Sequence, residues 1–356
     1  MKLPMHKVIC GLATLALLSG MAQAEVVAIA KENRCVWPGG PVLDGPTGEN
    51  FFGGAVVSWF LAAKTPKDVA TLAGLLDKYI KDKCVFVDGR PFQGIMLKSY
   101  QKAFKDTANW DGARERIEAL KTANPDAIYL SALEVQWWID AGWSARGTGY
   151  ASSVTRDGMR LFQERLLRAE SLLIETKPRA AELPYWYQQM LVVQSALGGS
   201  GSDRDNIFVE GASRFKTYYP LYFTMLNFLS PRWGGSWGAI DSLVAWSVKN
   251  TQATEGNALY ARMYWNIAET MREGEQLFKS TKAQWPKMKA GFEDLMMKNP
   301  DSLWNLNNYA EFSCEAGDGA TFRMLRKKMD KQVVAEAWNR GYPLDVCEAK
   351  FRGTRS

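Results

Sequence analysis

Apolar residues recur every three or four positions along most of this chain, the spacing that places them on one face of an α-helix. The sequence Thr65-Pro66-Lys67-Asp68 is a good helix start, with Thr65 as N-cap and Asp68 at the capping-box position. Apolar residues then follow at Val69, Leu72, Leu76, Tyr79 and Ile80. A second start, Asn124-Pro125-Asp126, predicts a helix that closes near Gly142.

The clearest amphipathic helix is predicted from about Asp157 to Glu175. Its apolar stripe consists of Met159, Phe162, Leu166, Ala169 and Leu173. The charged pairs Arg160–Glu164 and Glu164–Arg168 lie one turn apart on the polar face, each contributing about 0.2–0.5 kcal/mol. We therefore interpret this helix as structural and its charges as a solvated face.

Two regions depart from the helical pattern. Residues 25 to about 54 are predicted to be irregular, with turn signals at Trp37-Pro38-Gly39-Gly40-Pro41 and Asp44-Gly45-Pro46. A short β-like run, Cys84-Val85-Phe86-Val87, precedes the turn residues Asp88-Gly89. A parallel sheet is not expected from so little strand pattern.

Helix starts in the second half are loosely periodic, lying near Pro184, Tyr219 and Glu255 and so 35 and 36 residues apart. Each unit is predicted to be helix, turn, helix: Tyr185–Leu197 with Asn206–Phe215, then Tyr219–Leu229 with Ser236–Lys249. This period is typical of tetratricopeptide-type repeats, and aromatic and small residues from Trp304 to Ala320 fit the pattern. The prediction is an all-α fold, an α-α superhelix or solenoid of degenerate tetratricopeptide-like helix pairs with an irregular N-terminal segment.

The first 24 residues have the pattern of a cleavable signal peptide. Lys2 and Lys7 precede an eleven-residue apolar run (8–18), and Ala22-Gln23-Ala24 forms a small-residue cleavage site. The alternative, a membrane anchor, needs about 20 apolar residues. We therefore predict three parts: the signal peptide at 1–24, an N-terminal irregular segment with helices at 25–124, and the helical-repeat domain at 125–356.

Cleavage after Ala24 leaves four of the five cysteines. An even number in an exported chain indicates disulfides, because the compartment is oxidising. Of the three possible connectivities we favour the local one, Cys35–Cys84 with Cys314–Cys347, at about 3–4 kcal/mol per bridge on the chain-entropy model. Four buried free thiols are the alternative.

Cleavage also removes the single histidine, His6, and this excludes several classes of reaction. Without an imidazole, neither a Ser-His-Asp nor a Cys-His arrangement can form. The cysteines lack zinc-site spacing and no phosphate-binding P-loop is present. The mature chain has 42 basic and 38 acidic residues, a net charge of +4 that does not indicate nucleic acid. We predict no catalytic residue, no metal and no cofactor.

Carboxylate-pair chemistry, as in glycoside hydrolysis, stays open because it needs only two acidic groups. Candidate acids lie on or near aromatic-rich helices: Glu134, Asp140, Asp241 and Glu269. The neighbouring rings are Trp137, Trp138, Trp143, Tyr264 and Trp265. Large aromatics at helical spacing more often fill the core than bind sugar. The Gly/Ser-rich run at 198–203 is interpreted as a flexible interhelical loop.

The segment from Pro231 to Trp237 is the candidate ligand-binding site. Gly234 and Gly235 allow the chain to reverse between two helices, with Trp233 and Trp237 on either side. Arg232 can reach a carboxylate or stack on a ring. The structural alternative is an interhelical corner locked by two tryptophans, with Arg232 capping helix carbonyls.

Several segments together resemble a bacterial family known as domain of unknown function 4034. They are Tyr218-Tyr219-Pro220-Leu221-Tyr222, Pro231-Arg232-Trp233-Gly234-Gly235-Ser236, Gly256-Asn257-Ala258-Leu259-Tyr260 and Cys314-Glu315-Ala316-Gly317-Asp318. The resemblance covers roughly residues 125–347. It implies an exported or membrane-associated helical-repeat protein and no assigned activity.

These observations predict an exported, non-catalytic helical-repeat protein of the periplasm or the secreted fraction. Its expected partner is a protein or peptide of the cell envelope, because helix-pair solenoids expose extended binding surfaces. The alternative is an aromatic-lined enzyme or binding protein that acts on cell-wall glycan through a carboxylate pair. We expect no nucleic acid partner and no stable membrane span after signal cleavage.

Overall fold

The computed structural model describes residues 28–29, 34–36, 41–62, 65, 67–68, 70–71, 84–106, 109–147, 149 and 151–353. The predicted signal peptide and the apolar positions predicted after Asp68 lie outside these residues. Thr65 and Asp68 are described and form the predicted capping box. The Asp68 amide donates to Thr65 Oγ1 at 3.2 Å, and the Thr65 amide donates to Asp68 Oδ2 at 3.1 Å.

The predicted all-α class is confirmed, with fifteen α-helices in the described part of the chain. A two-residue antiparallel ribbon, β1 (Ala28–Ile29) with β2 (Cys35–Val36), precedes them. The first seven helices are α1 (Gly45–Ala62), α2 (Phe92–Asp106), α3 (Trp110–Ala123), α4 (Tyr129–Arg146), α5 (Arg156–Ala180), α6 (Pro184–Leu197) and α7 (Gly201–Arg214).

The C-terminal half continues with eight helices. They are α8 (Tyr219–Phe228), α9 (Trp237–Glu255), α10 (Ala258–Ala268), α11 (Leu277–Ser280), α12 (Trp285–Lys298), α13 (Leu303–Glu315), α14 (Gly319–Met329) and α15 (Leu344–Phe351). Single turns of 3-10 helix lie at Ala151–Ser153, Pro231–Trp233 and Ala335–Trp338. No described helix is both long enough and apolar enough to cross a membrane.

Neighbouring helices pack in pairs: α4 with α5, α6 with α7, α8 with α9, α10 with α12, and α13 with α14. The first helices of these pairs also contact one another, α4 with α6, α6 with α8, and α8 with α10. Trp265 and Trp304 extend this series from α10 to α13, with ring centroids 5.6 Å apart. We call α4, α6, α8, α10 and α13 the first-helix row. This stacking is consistent with a solenoid.

Helix boundaries follow the capping chemistry of the sequence. The predicted starts at Pro184 and Tyr219 are the starts of α6 and α8. The start predicted near Glu255 is three residues early, because that residue still belongs to α9 and the turn is made at Gly256, with φ of 56°. Side-chain N-caps open six of the described helices: Asn109, Thr155, Ser200, Ser236, Ser302 and Asp318.

Three local predictions need correction. Residues 45–54 are helical rather than irregular, because Asp44-Gly45-Pro46 starts α1 instead of closing a turn. The amphipathic helix at 157–175 runs further, to Ala180, and includes Pro178 in its last turn. The Gly/Ser-rich run, predicted to be an interhelical loop over residues 198–203, connects two helices only at residues 198–200, and residues 201–203 begin α7. Gly198 caps α6 with φ of 79°, and Ser200 accepts the Asp203 amide at 3.1 Å.

Both predicted disulfides are formed. Cys35 bonds Cys84, with Cα atoms 5.1 Å apart, and Cys314 bonds Cys347, with Cα atoms 5.8 Å apart. The first bridge fixes residues 34–36 beside residues 84–91, and the second fixes α15 against α13. One hydrophobic cluster runs from Cys35 to Cys347, so the N-terminal segment and the helix pairs share a core.

The first-helix row is covered by the N-terminal segment. Every residue from Ala258 to Trp265 in α10 is buried, and so is every residue from Asn305 to Cys314 in α13. A helix buried on all sides needs a neighbour on each side. The additional neighbours are α1, which contacts α13, and residues 84–91, which hydrogen-bond to α10 and α13.

Candidate functional site

The corner between α8 and α9 is held rigidly by its backbone. The amides of Trp233 and Gly235 both donate to Ser230 O, at 2.9 and 3.1 Å. Gly234 has φ of 84°, which disfavours any side chain. A Cβ at Gly235 would lie 2.0 Å from Leu229 O, so this position also requires glycine. The predicted chain reversal is therefore made by these two glycines.

The side chains at this corner differ in exposure. Trp233 is 44% exposed, whereas Trp237, at the start of α9, is half-buried and packs against the core. Arg232 is exposed and forms neither a hydrogen bond nor an ion pair with any described residue. The capping of helix carbonyls by Arg232, proposed as the structural alternative, is not observed among the described residues.

Two partly buried residues of α4, Trp143 and Arg146, meet this corner. The Trp143 and Trp233 rings lie edge to face, with centroids 6.2 Å apart. The Arg146 guanidinium lies over the Trp143 ring at 5.5 Å. We define the aromatic corner as Trp143, Arg146, Arg232 and Trp233. It joins two residues of the last turn of α4 to two residues that follow α8.

The other tryptophans near candidate acids are mostly core residues. Trp137 is buried and donates Nε1–H to Trp110 O at 2.8 Å. Its ring lies edge to face with Trp138 at 4.8 Å. Trp265 is buried in α10 between Trp304 and Phe292. These rings fill helix crossings, as expected for large aromatics in a helical fold.

Three of the four candidate carboxylates are engaged locally. Glu134 forms an ion pair with Lys121 on the neighbouring helix α3. Asp140 is buried and accepts a hydrogen bond from Gln136 Nε2 at 3.1 Å. Asp241 accepts the Tyr264 hydroxyl at 2.7 Å, and burial, followed by this hydrogen bond, raises the pKa of Tyr264. None of these contacts brings two of the acids together.

Glu269 is different, because it shares an arginine with a buried carboxylate that the sequence did not single out. Arg340 Nη1 donates to Glu269 Oε1 at 2.7 Å, and Arg340 Nη2 pairs with Glu311 Oε2. Glu311 is fully buried, and its other oxygen has no hydrogen-bond partner. Burial raises the pKa of Glu311 to about 7, although the Arg340 charge opposes the shift. Trp265 Nε1–H also donates to Glu269, at 2.9 Å.

A second polar cluster centres on Asp88, which lies in the loop of residues 84–91 and is fully buried. Its carboxylate accepts from the Gly45 amide at 2.9 Å, and from the Arg90 amide and Nε at 2.8 and 2.9 Å. Burial favours the neutral form, but the Arg90 charge outweighs it and lowers the pKa of Asp88. Asp88 is therefore a fully satisfied carboxylate.

The backbone of this loop is equally engaged. Asp88 O accepts from Arg262 Nη2 at 2.6 Å and from Asn305 Nδ2 at 3.2 Å. Arg262 lies 4.5 Å above the Tyr219 ring, and the Tyr219 hydroxyl donates to Glu255 at 2.8 Å. The loop therefore contacts α1 through the Asp88 carboxylate, and α10 and α13 through the Asp88 carbonyl. Arg262 in turn links this cluster to Tyr219 of α8. This cluster is structural.

The described residues contain no group of three or more His, Cys, Asp or Glu side chains that could hold a metal ion. Comparison of the chain with protein-family models found no match, and comparison with curated proteins found none either. The resemblance to the domain of unknown function 4034 family stays a prediction. The geometry defines a disulfide-bonded helical-repeat protein with an exposed aromatic corner.

Proposed function

We propose that this protein is an exported, non-catalytic helical-repeat protein that binds a partner protein or peptide of the cell envelope at its aromatic corner. Export is supported by the signal-peptide pattern of residues 1–24, with cleavage after Ala24, and by two disulfides compatible with an oxidising compartment. The resemblance to the domain of unknown function 4034 family also implies an exported or membrane-associated protein. The site itself rests on the aromatic corner.

The observation that carries the proposal is the pairing of an exposed tryptophan with an arginine that has no partner. Trp233 and Arg232 stand on a backbone that glycine and hydrogen bonds hold in one conformation. Tryptophan and arginine are enriched among residues that dominate binding energy, often contributing about 2 kcal/mol or more. A rigid backbone lowers the entropic cost of binding.

The covered first-helix row supports the same location. Helical repeats often bind ligands along the surface formed by their first helices. Here, residues 84–91 and α1 already contact α10 and α13. A partner that does not displace these residues must approach elsewhere, and the aromatic corner offers one exposed ring, Trp233, one partly buried ring, Trp143, and two cationic side chains.

The test is quantitative recovery of partners from envelope extract on the immobilised mature protein, followed by mass spectrometry. The baits are wild type, Trp233→Ala, Arg232→Ala and the control Met297→Ala, which removes a 73% exposed apolar side chain from α12. We expect at least one protein to be enriched on wild type and on the control, and to fall roughly tenfold or more on Trp233→Ala. Recovery that is equal on all four baits would contradict the proposal.

A second candidate, an enzyme or binding protein for cell-wall glycan, is favoured by one observation. Glu311 has a raised pKa, and Glu269 pairs with the same guanidinium and accepts a hydrogen bond from Trp265. Two carboxylates of different acidity are the machinery of glycoside hydrolysis. However, Arg340 occupies the space between them and pairs with both.

The second candidate is tested with soluble cell-wall glycan fragments. If it holds, the wild-type protein hydrolyses or binds the fragments, and Glu311→Gln lowers hydrolysis roughly 100-fold or more, as loss of a general acid does. The absence of both hydrolysis and binding by wild type would exclude it. The glycan assay does not affect the outcome of the partner-recovery experiment with Trp233→Ala, so the two candidates are tested separately.

A further inference from the structure

A basic basin lies between α14 and α15, far in sequence from the loop of residues 84–91. Its volume is about 480 Å³, within the range of small-ligand sites. Its floor is apolar and its rim is charged. We call it the C-terminal basin, and the residues used below are Phe322, Arg326, Lys327, Glu348, Phe351 and Arg352.

The floor is fixed in place before any ligand arrives. The Phe322 and Phe351 rings pack with centroids 5.2 Å apart. Gly319 lies directly beneath Phe351, where a Cβ would come within 2.7 Å of the ring. The Cys314–Cys347 bridge ties α15 to α13, and Lys350 Nζ donates to Cys314 O at 2.7 Å. These contacts hold α15 against α13, which also packs on α14.

The rim carries excess positive charge. Four cationic and two acidic side chains line the basin, which leaves a formal charge of +2. Arg326 is already engaged, because its Nε donates to Glu348 at 2.6 Å and its Nη1 donates to Asp330 O at 2.6 Å. The Lys327 and Arg352 side chains are exposed and form no hydrogen bond or ion pair with any described residue.

The two free cations stand on different elements, Lys327 in the last turn of α14 and Arg352 just after α15. Both line the same basin as the two phenylalanines. Arginine and lysine are the side chains that bind carboxylate and phosphate groups, and a guanidinium can do so with two parallel hydrogen bonds. An aromatic floor stabilises an apolar body by burying its surface.

We propose that the C-terminal basin is a binding site for an anionic group, carboxylate or phosphate, attached to an apolar or aromatic body. The anion pairs with Lys327 and Arg352, and the apolar body packs on Phe322 and Phe351. This site is separate from the aromatic corner and does not depend on the function proposed there. The same chemistry can be presented by a free small molecule or by an acidic peptide that carries a phenylalanine.

The probes for titration calorimetry on the mature protein are inorganic phosphate, phenyl phosphate and a short peptide of aspartates around one phenylalanine. We expect phenyl phosphate to bind at least roughly fivefold more tightly than inorganic phosphate, because only it covers the floor. Binding should weaken as salt rises, because the rim is solvated and screened. If the peptide competes with phenyl phosphate, the natural source is a protein; if it does not, the source is a small ligand.

The variants are the double substitution Lys327→Ala with Arg352→Ala, and the control Lys328→Ala, a neighbouring lysine of α14 that does not line the basin. The double variant should bind phenyl phosphate roughly tenfold or more weakly, and the control within about twofold of wild type. All these side chains are exposed, so thermal unfolding should be nearly unchanged. An equal loss in the control, or no binding of any probe to wild type, would overturn the proposal.

Discussion

Gly89 in the loop of residues 84–91 and Gly234 in the aromatic corner have nearly the same backbone, with φ of 83° and 84°. Each turn also lies beside an arginine and an aromatic ring: Arg262 over Tyr219 in the first, and Arg232 beside Trp233 in the second. In the loop, the arginine is buried and donates to Asp88 O. In the corner, the arginine is exposed and has no partner among the described residues.

The difference shows that the surroundings decide what such a turn does. The loop is enclosed by α1, α8, α10 and α13, so the carboxylate and the carbonyl of Asp88 are paired within the chain and the loop stabilises the fold. The corner packs against α4, and among the described residues the Arg232 side chain has no partner and Trp233 is 44% exposed, so both are available to another molecule. The following predictions test this contrast, beginning with the largest effect.

Removing the carboxylate at the centre of the loop should have the largest effect. Asp88→Ala leaves Arg90 and the Gly45 amide without their acceptor in a buried site, and such a loss costs about 3–5 kcal/mol. The measurement is the free energy of unfolding in urea. The control is Asp157→Ala, which removes an 87% exposed carboxylate from an ion pair and should cost about 0.5 kcal/mol or less. Equal costs would mean that the loop is not enclosed.

The pKa of Glu311 is shifted in the opposite direction to that of Asp88. Both are buried beside an arginine, but one Glu311 oxygen lacks a partner, and the pKa of Glu311 is raised from 4.5 to about 7. The folded state therefore holds a proton on Glu311 between pH 4.5 and 7 while the unfolded state does not. Its stabilising contribution is complete below pH 4.5 and is lost as the pH rises to about 7.

The unfolding free energy of wild type should thus fall by up to about 3 kcal/mol over this window, relative to Glu311→Gln. The pKa of Asp88 lies below its ordinary value, so Asp88 titrates outside this window. Parallel pH profiles for wild type and Glu311→Gln would show that Glu311 is ionised throughout.

The two arginines give the most direct comparison between the turns. Arg262→Ala removes a charged hydrogen bond to Asp88 O and the packing on Tyr219, which should cost about 2 kcal/mol. Arg232→Ala removes an exposed side chain without a partner and should change stability by less than about 0.5 kcal/mol. Urea unfolding of the two variants measures both. A similar loss of unfolding free energy in both variants would contradict the difference between the loop and the corner.

The two glycines give the smallest difference. Alanine at either position must adopt left-handed backbone angles, which costs about 1–2 kcal/mol. At Gly234 a Cβ has no neighbour within 4 Å, but at Gly89 it lies 2.8 Å from Arg262 Nη2 and from Asn299 Oδ1. Because these atoms are themselves hydrogen-bonded, Gly89→Ala should cost about 1 kcal/mol more than Gly234→Ala. The same unfolding assay tests the order, and the reverse order would contradict it.

Much of the helical architecture followed from local sequence signals. Pro184 and Tyr219 marked true helix starts, and the capping box at Thr65 and Asp68 formed as predicted. Both cysteine pairs formed with the local connectivity. The reversal at Gly234 and Gly235 was also correct. The helix starts, the capping box and the chain reversal depend on residues that are close in sequence. The disulfides join cysteines 49 and 33 residues apart, and they were predicted from the even number of cysteines in a chain expected to be exported.

The missed features depend on residues that are distant in sequence. Asp88 was noted only as part of a turn, yet its carbonyl meets Arg262 and Asn305, which are 174 and 217 positions away. Glu311 is buried because Arg340 and the residues around it return to α13. The asymmetry between exposed Trp233 and packed Trp237 has no local sequence signal either. Only packing decides these outcomes.

Hydrogen–deuterium exchange with mass spectrometry on the mature protein tests the enclosed loop and the open corner most directly. The amides of Phe86, Val87 and Phe92 donate to backbone carbonyls inside the enclosed region, at 2.8–3.0 Å. They should exchange as slowly as α10, and at least roughly 100-fold more slowly than residues 232–235 of the corner. If the 84–91 loop instead exchanges as fast as the corner, it does not cover the first-helix row, and that row becomes the binding surface to examine.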